Sequence, residues 1–166
     1  MKLGQVLPYA VVTALTVAAD QAIKHLVEAY LPWQEMVPLV PFLALYRTYN
    51  TGIAFSLLDS VGDLGLLAVS AVVILFVLFL ASRTERTNRL ARLGFALIVG
   101  GALGNVIDRV TYGHVVDYIL FHTPVWSFAV FNLADALITV GAGLVLLEEL
   151  LTWRSSRGTP VGLSDD

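Results

Sequence analysis

Nineteen consecutive residues from Leu64, LGLLAVSAVVILFVLFLAS, carry no charge. A helix of that length spans roughly 30 Å, the hydrocarbon thickness of a bilayer. Lipid offers no partner for a free backbone N–H or C=O, so such a run leaves the chain little choice but a helix. Three further stretches share this character: VLPYAVVTALTVAADQAIKHLV from Val6, LGFALIVGGALGNVI from Leu93 and FAVFNLADALITVGAGLVLLEEL from Phe128. One of these alone fits a buried helix of a soluble bundle, but four together do not. Only 14% of the residues are charged and 57% are hydrophobic, whereas soluble domains carry about a quarter charged residues. We expect a mainly α membrane protein, a bundle of four transmembrane helices at about 6–27, 64–82, 93–109 and 128–151.

Basic residues set the orientation. The link SRTERTNRLAR holds Arg83, Arg86, Arg89 and Arg92, Arg154 and Arg157 follow the last span, and Lys2 precedes the first. The positive-inside rule then places both termini in the cytoplasm and residues 30–62 and 110–127 outside. No small-residue cleavage site follows the first apolar run, so we expect a retained span and not a cleaved leader. The outer segment 30–62 contains LVPFLALYRTYNTGIAFSLL, rich in aromatic and β-favouring residues and broken by Pro38, Pro41 and Asn50-Thr51-Gly52. That pattern predicts a small, curved β-sheet on the membrane's outer face. Residues 1–154 would form one integral membrane domain, and 155–166 a disordered cytoplasmic tail.

The spans carry polar residues at a common depth. Asp20 and Lys24 lie one turn apart towards the outer end of the first span, an i,i+4 ion-pair spacing. Asn105, Asp108 and Arg109 end the third span, and Asn132 and Asp135 share a face one to two turns into the fourth. Asp117 sits in the outer connection, in the extended stretch VVDY. A charged side chain at mid-span costs about 3 kcal/mol on insertion scales, so these groups must face a bundle interior or a wet cavity. Gly100, Gly101 and Gly104 form a small-residue stripe for close helix packing, as do Gly141 and Gly143.

Few chemistries have their parts. There is no cysteine, so thiol nucleophiles and thiolate metal sites are excluded. His25, His114 and His122 lack a ligand spacing, and Ser56 and Ser127 lack the setting of a nucleophilic serine. We therefore expect no metal and no cofactor, and a net charge of −3 gives no reason to expect a nucleic-acid partner. Asp117 and Asp135 remain as a pair that would share one proton in a low-dielectric cavity. Asp20 with Lys24 reads most simply as a neutralising pair, although Asp20 and Asp108 stay open as acids. A small proton-coupled transporter and a non-catalytic lipid-binding or assembly protein are the rival readings.

DQAIK (20–24), NTGIAFS (50–56), GGALGNVIDR (100–109), VVDY (115–118) and FNLAD (131–135) together resemble lipoprotein signal peptidase, the type II bacterial signal peptidase, over roughly residues 5–152. The resemblance implies an aspartic endopeptidase of the bacterial cytoplasmic membrane, a target of cyclic peptide antibiotics. It would cut diacylglyceryl-modified prolipoproteins just before the lipidated cysteine, in contact with membrane lipids; nothing in the sequence requires more than a monomer. By motif, Asp117 and Asp135 would be the catalytic dyad. Asp20, Lys24, Asn50, Gly52, Asn105, Asp108, Arg109 and Asn132 would bind substrate or support the site. A short mobile helix is implied near Phe55–Asp59. Ile23 stands where Thr or Ser is common and Tyr118 where Phe is usual, with neither expected to touch the chemistry.

Overall fold

The computed structural model describes residues 3–52 and 62–157. The implied helix near Phe55–Asp59, with Ser56, lies outside them. Along the chain run α1 (Leu3–Tyr30), β1 (Met36–Val40), β2 (Leu43–Asn50), α2 (Gly62–Arg83), α3 (Arg89–Tyr112), β3 (Val115–Phe121) and α4 (Leu133–Arg157). Each helix contains a stretch long and apolar enough to cross a membrane: Val6–Tyr30, Leu64–Arg83, Arg89–Tyr112 and Leu133–Ser155. The first three residues of the expected tail thus continue α4; the remainder lies outside the described residues.

The helix α3 packs against all three others and most closely against α4. Its glycines make this possible. A Cβ at Gly94 would strike the Gly141 carbonyl oxygen, and one at Gly141 the Gly94 oxygen, so the two backbones meet directly. Gly100 faces Thr16 of α1 and Gly101 faces the Ala134 carbonyl of α4. Gly143, expected to belong to the same packing stripe, has nothing near it, because two residues on from Gly141 the helix has turned by about 200°. At its start, α3 is capped from outside: Glu148 of α4 accepts from the N–H of Leu90 (2.8 Å) and of Ala91 (3.3 Å). At its end, Gly113 adopts φ 74° and its N–H returns to the Arg109 carbonyl at 3.0 Å, a left-handed cap that suits glycine.

Against α3, the helices α1 and α2 leave an apolar groove of about 700 Å³ between them. It is lined by Ala10, Ala14, Val17, Leu78, Phe95 and Val99 among others, and the acid cluster described below does not line it.

The expected sheet is present and has three strands, in the order β1-β2-β3 with both pairings antiparallel. Its third strand comes from the second outer segment, beyond α3, so the two connections at this end of the bundle build one structure. The register shifts between Pro38 and Val40 and again between Leu45 and Thr48, and such bulges bend and twist a ribbon. Thr48 then pairs with Asp117 and Asn50 with Val115, which carries the end of β2 to the acid on β3.

The fourth span begins later than expected. Residues 128–131 are apolar, as a span requires, but they are not helical: the Phe131 carbonyl accepts from Tyr118 (3.0 Å) and Ile119 (2.8 Å), and the Phe131 N–H returns to Ile119 at 3.0 Å. Backbone pairing with β3 holds this segment, and the helix starts at Leu133. Asn132 and Asp135 therefore stand at the mouth of α4, not one to two turns inside it.

Gly141→Leu should lower the stability of the detergent-solubilised protein by about 1–3 kcal/mol, the usual cost of overpacking. Gly143→Leu should leave it within about 0.5 kcal/mol. Thermal unfolding of the two variants side by side measures the difference.

Candidate active site

Four elements converge beneath the sheet. α1 brings Asp20, Gln21 and Lys24, α3 brings Asn105 and Asp108, β3 brings Asp117, and the start of α4 brings Asn132 and Asp135. Asp20 and Asn132 are wholly buried, and Asp108, Lys24 and Asp117 are at most 2% exposed. Buried polar groups at this density require partners, and they have them.

Lys24 Nζ lies 2.8 Å from Asp20 Oδ2 and 2.8 Å from Asp108 Oδ2, and it donates to Asn105 Oδ1 at 2.9 Å. The expected Asp20–Lys24 pair is thus present, enlarged to a triad by Asp108. Gln21, part of the DQAIK motif but given no role from the sequence, donates to Asp108 Oδ1 at 2.7 Å and to the Gly104 carbonyl at 3.2 Å. Asp108 Oδ2 also accepts the N–H of Val116 (3.2 Å), and Asp20 Oδ1 accepts that of Ala134 (3.1 Å). A Cβ at Gly104 would sit 2.5 Å from Asp20 Oδ2, so glycine there leaves room for the carboxylate.

The start of α4 is fully capped. Asn132 Oδ1 accepts the Asp135 N–H (3.0 Å) and Asp135 Oδ2 accepts the Asn132 N–H (3.3 Å), a reciprocal capping box. The Ala134 N–H goes to Asp20, and the Leu133 N–H goes to the Tyr118 hydroxyl at 3.2 Å. Tyr118, expected to stand apart from the site, therefore helps to seat the helix that carries Asp135; its burial pushes the phenol up to about 12. No residue type or spacing in the sequence announces that contact, because it joins a strand to a helix across a turn.

Asp117 and Asp135 are joined through amides. Asn132 Nδ2 donates to Asp117 Oδ1 at 2.7 Å and to Asn105 Oδ1 at 3.1 Å, while Asn105 Nδ2 donates to Asp135 Oδ1 at 2.8 Å. Asn50 reaches Asp117 from β2 with a side-chain hydrogen bond, and its own Oδ1 accepts the Gly52 N–H at 2.9 Å. Gly52 has φ 85°, a left-handed turn that glycine adopts at no steric cost. Burial pushes the Asp117 carboxyl up to about 6, and the charge of Asp135 adds to the rise. The hydrogen bonds from Asn50 and Asn132 and the charge of Lys24 hold it back.

Arg109 is not brought into this network. Its Nη1 donates back to the Asn105 carbonyl at 3.4 Å, and its buried Nε has no hydrogen-bond partner among the described residues. His25 turns to the Gln21 carbonyl at 2.8 Å, and His114 stacks on Tyr49 with ring centroids 3.8 Å apart.

Four membrane-length helices, three of which join a strand of the small sheet in holding a buried acid–amide cluster, define a multi-pass membrane protein with a site suited to hydrolysis. The sequence profile described as signal peptidase (SPase) II matches residues 12–151, and the chain belongs to that family; it is a peptidase. The lipoprotein signal peptidase of Mesorhizobium japonicum is 65% identical over 147 residues, covering 89% of this chain and 88% of its own. That of Sinorhizobium fredii is 55% identical over 151 residues, 91% of each chain. A solved bacterial membrane enzyme superposes with a TM-score of 0.77 at 25% identity, over 87% of this chain and 94% of that one. These likenesses do not favour the transporter or the assembly protein.

Infrared difference spectra should show a protonated carboxyl band that disappears as pH rises through about 6 and is absent in Asp117→Asn. In Asp135→Asn its midpoint should fall, because a repelling charge has gone. A midpoint that stays put in Asp135→Asn would mean that the two acids do not sense each other.

Proposed function

We propose that the chain is an aspartic endopeptidase that removes the signal peptide from diacylglyceryl-modified prolipoproteins, cutting immediately before the lipidated cysteine, with Asp117 and Asp135 as its catalytic dyad. The observation that carries this reading is the amide bridge: Asn132 and Asn105 bond to each other and to one carboxylate each. Two acids held on one amide network, with Asp117 raised partly by the charge of its neighbour, favour a shared proton. In this cycle the shared proton starts on Asp117, whose carboxyl burial raises. The charged carboxylate of Asp135 takes a proton from water, the resulting hydroxyl oxygen attacks the scissile carbonyl carbon, and Asp117 passes its proton to the carbonyl oxygen. Collapse of the gem-diol intermediate breaks the C–N bond: the amine leaves with the proton that Asp135 had taken, and one hydroxyl proton returns to Asp117 as the carboxyl product forms, which restores the starting state of the pair.

Asp20, Lys24 and Asp108 hold the frame, Asn105 and Asn132 orient the acids, and Asn50 and Gly52 form the turn beside Asp117. Arg109, at the rim, contacts substrate or headgroup. Acyl chains of the substrate stay in the bilayer against the bundle, which keeps the scissile amide at the depth of the acids. Residues 1–154 act as one domain, a monomer of the inner membrane. The arginine-bearing link and both termini face the cytoplasm, and the sheet and site face outward.

With purified protein and a diacylated prolipoprotein, Asp117→Asn and Asp135→Asn should each reduce turnover by about 10³-fold or more while the substrate still binds. A chelator should leave turnover unchanged. Near-normal cleavage by either variant would remove the dyad, and Asp135 would then be a capping residue only.

A further inference from the structure

We propose that Lys24 is the positioning residue of the site: a single buried ammonium orients two carboxylates, each of which holds the backbone N–H immediately before one of the two dyad acids. The inference rests on the dyad reading above. Asp108, held by Lys24, accepts the N–H of Val116, and Asp117 follows it. Asp20, held by the same nitrogen, accepts the N–H of Ala134, and Asp135 follows it. The two acids lie on different elements, a strand and a helix, and are separated by 17 residues of chain between them. One cation thus fixes the backbone at both.

A third contact acts on the side chains. An ammonium has donors and no acceptor, so the oxygen of Asn105 must face Lys24 Nζ, as it does at 2.9 Å. The amide nitrogen of Asn105 is then turned to Asp135 Oδ1 at 2.8 Å. The same oxygen takes Asn132 Nδ2, which also donates to Asp117. Without the cation that oxygen would be held by Asn132 Nδ2 alone, at the longer distance of 3.1 Å, and a flipped amide would present a carbonyl oxygen to the Asp135 carboxylate. Gln21 cannot replace Lys24, since its amide is already spent on Asp108, the Gly104 carbonyl and a long contact to Asp20. Arginine cannot either: a planar fork does not converge three acceptors on one point as an ammonium does.

The test compares Lys24→Met, Lys24→Arg and the uncharged triple variant Lys24→Met/Asp20→Asn/Asp108→Asn. The triple variant buries no unpaired charge and keeps an oxygen at positions 20 and 108, so it should stay folded even where Lys24→Met does not. We expect the triple variant to lose about 100-fold in kcat, the scale of a 1 Å misplacement of reacting groups, with KM within about threefold. Lys24→Arg should fail to restore the rate. The charges that act on Asp117 are those of Asp135 from α4, which raises its carboxyl, and of Lys24 from α1, which draws its proton off. In folded Lys24→Met the carboxyl band of Asp117 should therefore persist to higher pH. A triple variant with kcat near that of the unaltered protein would show that Lys24 only neutralises charge and would overturn the proposal. So would a Lys24→Met protein changed in stability alone, with kcat and the band midpoint unmoved. Failure of the dyad reading is seen separately, as activity in Asp117→Asn, a variant in which the Lys24 contacts are untouched.

Discussion

Everything at the sheet end of this molecule depends on a charge balance struck inside the bundle. Two carboxylates and one ammonium are buried together at Asp20, Asp108 and Lys24. A buried ion pair adds little stability over an apolar core of the same shape, yet removing one partner alone is severe. Such a triad is better understood as a register device. It ties α1 to α3 through side chains, α3 to β3 through Val116, and α1 to α4 through Ala134. None of these junctions is a loop contact, and each is a hydrogen bond to a group with one possible direction. The leftover negative charge is spread over backbone N–H groups and the Gln21 amide, which is what makes burial tolerable.

The same face of α3 serves packing and polarity in turn. Gly94 meets Gly141 backbone to backbone, Gly101 meets Ala134, and Gly104 makes way for the Asp20 carboxylate. One turn beyond, Asp108 takes up the lysine. Close approach of α4 at Gly101 is what brings the Ala134 N–H within reach of α1, so the small residues and the acid cluster are parts of one arrangement. The small-residue stripe, weak evidence alone, gains meaning from the polar contacts that it permits.

Much of this was legible in the sequence because lipid punishes error. Long uncharged runs and the spacing of Asp20 and Lys24 have few folded interpretations, and the helices and the ion pair follow from them. The start of α4 was misplaced because residues 128–131 are as apolar as a span. Only the pairing of Phe131 with Ile119 distinguishes them, and pairing is not written in hydropathy. β3 read as extended, but its place in the sheet depends on a partner some 70 residues away on β2. Gln21 and Glu148 were given no role, and Tyr118 was expected to stand apart, for the same reason: each makes its contact with a different element. Gly143 erred the other way, since a spacing rule assigns a glycine to a stripe without knowing which face the neighbour covers.

The strand that carries Asp117 is closed along the edge away from β2. The Val116 N–H goes to Asp108, and the N–H groups of Tyr118 and Ile119 go to the Phe131 carbonyl. An extended peptide approaching Asp117 cannot extend the sheet there, as peptides do on proteins with an open edge. Recognition by strand addition would also be indifferent to depth, since any edge at any height would serve. Here the donors beside the acid are side-chain amides, Asn50 from β2 and Asn132 from α4, fixed at the level where the helices begin. On the proposed reading, a backbone held near these amides at one height and a lipid anchor held by the bilayer at another would together define a distance. On the same reading, a chain lacking the anchor would lack the second of these two tethers, because the closed edge offers it no strand to pair with in its place.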